Sequence, residues 1–407
     1  MSKQPKTVLI VEPSASGHHM ALYVRHVARG LLDQGCDVIL LTTEKAIGEP
    51  AYQMVQTECS ERLKTFLMPE IGKSETSSAL GLISAQLKSW RAVKRGFTAV
   101  RTKHPIDIVY VPTLDWVAKA TEIFGSPFGD MPFVALYMAP KHHRFETSLG
   151  PKSRQDWLYD KLFRRLLAIK TLRNLLVIDE VFYEFAINRY PFASRKLRFA
   201  PDFGEITGDK SREVCREELE IPDDAVVILV YGSLTKRKGI VELLNAAANP
   251  GAPDNLVILL AGKPANDIIE YLENPKFRTP VESGRILKCF HFHAADEEYR
   301  AFRASDAVWI AYADGFYSSS GVLYQALSAE RPVLARKEGL IGRLVGIYRL
   351  GWRVNTKNES ELTQLLHRIA DVNISTPYEF NCDSDFLHQH TSQAHVAAVK
   401  GALSSDQ

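Results

Sequence analysis

The stretch YGSLTKRKGIVELLNAA (231–247) runs from the end of an apolar strand through a Gly-Ser loop and three basic residues into a glycine and an apolar-periodic helix. Strand, loop and helix in that order are the repeating unit of an α/β sheet. The loop also suits a phosphate, because a helix N-terminus offers free N–H groups and partial positive charge. Lys236, Arg237 and Lys238 add full charges to that end. A solvated basic turn explains the same letters, so the loop by itself leaves both readings open. A second loop of this kind lies in ADGFYSSSGVLYQALSAERPVLA (313–335), where Ser318, Ser319, Ser320 and Gly321 precede a helix. Small hydroxyl residues there either cap the helix or wrap an anion.

Around these loops, VVILVY (226–231), LVILLA (256–261), ILKCFHF (286–292), AVWIAY (307–312) and PVLA (332–335) read as buried strands alternating with helical segments. The turn-rich APDFGEITGDKS (200–211) precedes this series, and a similar one precedes the turn. That first series opens with TVLIV (7–11), the small-residue loop EPSASG (12–17), a helical stretch ending at Gly35, and DVILL (37–41). IDIVYV (106–111), FVALY (133–137) and LLVI (175–178) continue it. Repeated βαβ units dictate parallel sheets with right-handed crossovers. The expected fold class is therefore α/β, with two doubly wound Rossmann-like domains facing across a cleft where the strands end. The boundaries expected are 1–205, 206–384 and a C-terminal helix in 385–407 that packs back on the first domain.

The chain has 407 residues, 45% hydrophobic and 24% charged, which suits two globular cores. A formal net charge of +2 argues against a nucleic-acid binder. No apolar run approaches the ~20 residues that span a bilayer, and 7–11 is too short for a signal-peptide core, so a cytoplasmic protein is expected. Cys36, Cys59, Cys215, Cys289 and Cys382 follow no metal or redox spacing and read as reduced thiols.

Residues 225–355 resemble the nucleotide-binding domain of the retaining GT-B glycosyltransferases that include sucrose synthase and mannosyltransferase relatives. The family's strand, Gly-Arg-Leu, three variable residues and Lys-Gly is matched at Gly232, Leu234, Lys238 and Gly239. ASDAVWIAY (304–312) resembles its Ala-x-Asp strand, and QALSAERPVLA (325–335) its Glu-Ala-x-Ala-x-Gly-x-Pro-Val-x-Ala. The resemblance implies transfer of a hexosyl unit from a nucleotide diphosphate sugar to a glycan or lipid-linked acceptor, with retained anomeric configuration. It implies that Lys238 and Arg237 hold the donor diphosphate and that the amides of Ser319, Ser320 and Gly321 contact the same group. Ser233 stands at the donor diphosphate, where the family has arginine, and Tyr317 and Gln325 stand where it has paired glutamates eight positions apart. Tyr317 and Gln325 can hydrogen-bond the donor sugar or ribose but supply no negative charge. That departure favours, as the alternative, a non-catalytic GT-B protein that binds a nucleotide or glycan and assists a partner enzyme. No metal or other cofactor is expected, since the matching region lacks an Asp-x-Asp pair.

In the first half, Gly17 and His18 are candidates for an acceptor-side loop, and Asp115 is a weaker one. His142 and His143, in MAPKHHRF (138–145), are candidates to orient the acceptor or assist proton transfer; a pair of idle surface histidines fits equally well. The stretch 152–176 carries seven basic residues and two acids, with apolar residues at helical spacing. It reads as a basic amphipathic helix, either lying on anionic lipid at the inner face of a membrane or packing on the core with a solvated basic face.

Overall fold

The structure is a computed structural model that describes residues 6–14, 19–59, 62–71, 79–291, 294–371 and 382–404. Apolar runs that would be stranded in water pair instead into two all-parallel sheets. The first contains β1 (Thr7–Val11), β2 (Asp37–Thr42), β3 (Leu63–Leu67), β4 (Ile108–Val111), β5 (Phe133–Tyr137), β6 (Leu172–Val177) and β7 (Leu197–Phe199), in the order β3-β2-β1-β4-β5-β6-β7. The second contains β8 (Val226–Tyr231), β9 (Leu256–Ala261), β10 (Ile286–Cys289), β11 (Ala307–Trp309), β12 (Val333–Arg336) and β13 (Gly351–Val354), in the order β10-β9-β8-β11-β12-β13. Central strands such as β1, β5 and β9 are buried along their whole length, as sheets covered by helices on both faces require.

In each sheet the strand order reverses once, and this creates the place where a ligand fits. β1 pairs with both β2 and β4, while β8 pairs with both β9 and β11. In open α/β sheets ligands bind outside the carboxyl ends of the strands at such a reversal, which here lies between β1 and β4 and between β8 and β11.

At the other, amino-terminal end of β8 and β11 the second sheet is pinned by Asp306. Its backbone N–H donates to Val227 O at 2.8 Å, and its Oδ2 accepts from Val227 N at 2.7 Å and from Arg216 Nη2 at 2.8 Å. Arg212 pairs with its other oxygen. Asp306 and Arg216 are both buried, so their mutual attraction offsets two desolvation costs. The acid that resembles a family motif residue therefore clamps β11 to β8.

Several expectations need adjustment. The stretch 152–176 is a helix only over Asp156–Leu167, and its remainder turns into β6, whose alternate residues must enter the sheet. AVWIAY is a strand only to Trp309, and ILKCFHF only to Cys289; position 292 lies outside the described residues. The edge strands β3, β7 and β13 were not expected, since all three are short and partly exposed. The chain divides into one compact unit of 1–147, 152–202 and 391–407 and another of 148–151 and 203–390. The terminal segment is thus split: Ser384–Gln389 belongs to the second unit, and Ser392–Ser404 packs in the first. There Arg173 Nη1 and Asn174 Nδ2 donate to Leu403 O and Ala402 O, each at 2.9 Å. The buried His395 donates from Nδ1 to Pro201 O at 2.8 Å, and burial pushes its pKa down to about 4, so it packs there as a neutral ring. All five cysteines are free thiols.

Candidate functional site

The loop after β8 carries Lys238 into the interior. Lys238 is buried, its Nζ donates to the carbonyl oxygen of Tyr231, and the ammonium lies 5.4 Å from the centre of the Tyr312 ring. No carboxylate among the described residues lies within ion-pair distance of it. The turn is fixed by Gly239, whose φ of 67° is left-handed and whose Hα faces Ala311 O, where a Cβ would come within 2.1 Å. Trp309 Nε1 donates to Lys238 O at 3.0 Å, and Ala313 N donates to Arg237 O at 2.9 Å. The loop after β8 is thereby stitched to the strand and loop of β11.

Arg237 is exposed and lies over two rings, 5.7 Å from the centre of Tyr312 and 5.3 Å from that of Phe316. Tyr312 also reaches the second loop, its hydroxyl sharing a 2.6 Å hydrogen bond with Ser320 Oγ. Ser320 caps the helix Gly321–Ser328, accepting from Val322 N at 3.3 Å. Ser319 Oγ is buried with no hydrogen-bond partner. Ser233, expected beside the phosphates, is exposed on the same loop as Lys238. The rings of Tyr312 and Phe316, which sequence reasoning did not single out, form the floor that joins the two loops. Their only advance signal was aromatic spacing around Ser318–Ser320.

One helical turn beyond Gly321, Gln325 is buried and donates from Nε2 to Glu298 Oε1 at 2.6 Å. The Tyr231 hydroxyl donates to the same carboxylate. Burial raises the pKa of Glu298, and these two hydrogen bonds oppose the rise. Tyr317 is half-buried against Gly150, whose added Cβ would lie 3.2 Å from the ring.

In the first domain the two histidines point inward. His142 Nε2 donates at 2.8 Å to the Tyr190 hydroxyl, which itself donates to Asp160 at 2.9 Å. Its ring sits among Phe163, Phe182 and Phe185, and burial, then His143, push its pKa down to about 3. His143 is fully buried, with Nε2 3.4 Å from Asp179. Neither ring meets the expectation of facing an acceptor, because the chain after β5 folds onto the aromatic core instead of over the surface. Asp115 is likewise committed, its two oxygens accepting from Met138 N and Ala139 N at 2.9 Å each. Gly17 and His18 lie outside the described residues.

A buried acid does occupy the switch point of the first sheet. Glu12, immediately after β1, is fully buried; Oε1 accepts from Ser14 N at 2.8 Å, and Oε2 has no partner. Burial pushes its pKa up to about 7 against the opposing hydrogen bonds from Ser14 and Thr113.

Two doubly wound parallel sheets, the second with paired helix-start loops at its switch point, define the GT-B class of fold. Among solved structures, this chain is similar to a sucrose-phosphate synthase from Thermosynechococcus elongatus (TM-score 0.70, 16% identity, 98% of each chain covered). It is similar also to Anabaena HepE in complex with UDP (TM-score 0.66, 16% identity, 98% of this chain and 100% of that one). A third is WaaG, a glycosyltransferase involved in lipopolysaccharide biosynthesis (TM-score 0.61, 16% identity, 97% and 98% covered). No protein-family profile matches the sequence, and no curated protein matches it.

The titration of Glu12 gives the first prediction. Folding raises its pKa, so its contribution to stability is fully present at low pH, where it is protonated in both states, and is lost as pH rises through 7. The stability of the native protein relative to Glu12→Gln should fall by on the order of 3 kcal/mol between about pH 5 and pH 8, read from urea unfolding at each pH. A difference that stays constant with pH would contradict the raised pKa.

Proposed function

We propose that the protein is a glycosyltransferase that moves a hexosyl unit from a nucleoside diphosphate sugar to a glycan or lipid-linked acceptor with retained anomeric configuration. The observation that carries this reading is the buried Lys238 ammonium, held at the switch point of the second sheet with no carboxylate of the described residues paired to it. A buried cation is costly unless an anion meets it. The start of the helix Gly321–Ser328 and the unpartnered Ser319 Oγ lie on the loop that Tyr312 joins to it. These groups suit a diphosphate. In the reaction the anomeric C–O bond to the diphosphate breaks and one to an acceptor hydroxyl forms, the hydroxyl's proton passing to the departing phosphate. Lys238, Arg237 and the amides of Ser319, Ser320 and Gly321 would stabilise the charge that builds on the leaving group, while Tyr317 donates a hydrogen bond to the sugar. Two solved neighbours, WaaG, described as a glycosyltransferase, and HepE, solved in complex with UDP, support the same reading.

The reading includes peripheral contact with an anionic membrane. On the helix Asp156–Leu167, Trp157, Leu158, Lys161 and Arg165 share one exposed face, and Lys161 Nζ lies 4.8 Å over the Trp157 ring. Arg164 is turned away, bonded to Asp160 at 2.9 Å and lying over Tyr190. An aromatic ring flanked by cations suits the headgroup boundary.

Two measurements test these statements. Lys238→Ala should weaken nucleoside diphosphate binding about 10- to 150-fold in calorimetry while barely changing the bare nucleoside, because a hydrogen bond to a charged group is worth roughly 1.5–3 kcal/mol. Unchanged affinity in a variant of normal melting temperature would remove Lys238 from the donor site. Replacing Lys161 and Arg165 by Glu should abolish binding to phosphatidylglycerol vesicles at low salt and leave nucleotide affinity intact. Wild-type protein that ignores such vesicles would end the membrane proposal.

A further inference from the structure

We infer that Glu298 is the carboxylate that recognises the vicinal diol of the donor's ribose, held in place for that purpose by Gln325 and Tyr231. The inference rests on the donor-site reading above and extends it to the nucleoside. Glu298 lies in the helix Ala295–Ala304 and is half-buried, with Tyr231 and Gln325 as its neutral hydrogen-bond donors. Among the described residues no cation lies within ion-pair distance of it. A carboxylate offers about four acceptor sites, so two donors leave it able to take a pair of hydroxyl hydrogens. Such a pair on adjacent carbons is what a ribose presents.

The position follows from the frame. Tyr231 binds the Lys238 ammonium through its carbonyl oxygen and Glu298 through its hydroxyl, so one residue fixes both the cation and the acid. Gly321, at the helix start, and Gln325 lie one turn apart on the same face, about 6 Å along the axis. A ligand whose phosphates meet the helix start and whose next unit follows the helix brings that unit to Gln325 and Glu298. The negative charge that Gln325 lacks is thus provided by the side chain to which it is bonded. A purely structural bridge between the two helices would also use this hydrogen bond, but it would not discriminate between diols.

The test measures binding of whichever of ADP, GDP and UDP is tightest, and of its 2′,3′-dideoxy form. Wild-type protein should prefer the ribose form by about tenfold or more, the effect of one hydrogen bond to a charged group. Glu298→Gln should reduce that preference to less than about threefold without weakening the dideoxy form. The double variant Glu298→Gln with Gln325→Glu, which moves the carboxylate across the same hydrogen bond, should restore it. Lys238→Ala should weaken both forms and keep their ratio. Equal binding of the two forms by wild-type protein, with Lys238→Ala still weakening both, overturns the role of Glu298 and leaves the donor site standing. So does a preference that survives Glu298→Gln. Failure to bind any nucleoside diphosphate overturns both readings. The wild-type ratio needs no variant, so a misfolded substitution does not blunt the test.

Discussion

Burying the Lys238 ammonium beneath the Tyr312 ring, with the carbonyl of Tyr231 as its hydrogen-bond acceptor, costs solvation that a single neutral acceptor does not offset. The surrounding fold is arranged to hold that cation in place. Gly239 lets the backbone turn back against Ala311, Trp309 holds the carbonyl of Lys238, and Ala313 holds that of Arg237. Asp306 clamps the two strands from which the loops emerge. Remove the clamp or the turn and the charge loses its place relative to the helix that starts at Gly321.

Much of this frame was legible because it is written locally. An apolar run, a small-residue loop and a periodic helix identify a βα unit whatever surrounds them, and both loops at the second switch point were found that way. Glu298 was not found, because its significance lies in a hydrogen bond to a residue 27 positions away, on another helix. The edge strands escaped notice for a related reason: β3 is fully buried only at Leu63 and lacks the continuous apolar run of a central strand. The basic stretch 152–176 misled because the helical period of Trp157–Leu167 continues by chance into residues that the sheet claims.

The histidines show the opposite error. Two adjacent polar rings after a strand suggest a surface loop, yet His142 and His143 are enclosed by Phe163, Phe182 and Phe185. His142 is held neutral by that burial and anchored through Tyr190 to Asp160. In the first domain the acid at the switch point is Glu12, a residue that follows an apolar strand and looked unremarkable in sequence. Its unpartnered oxygen and raised pKa arise wholly from tertiary enclosure.

The position of a bound diphosphate decides whether Lys238 is a donor-site cation. A crystal structure of the protein with a nucleoside diphosphate should place phosphate oxygens within hydrogen-bond distance of Lys238 Nζ and of the amides at Ser319, Ser320 and Gly321. A nucleotide bound elsewhere, with Lys238 still resting on the Tyr231 carbonyl and no anion beside it, would contradict the account.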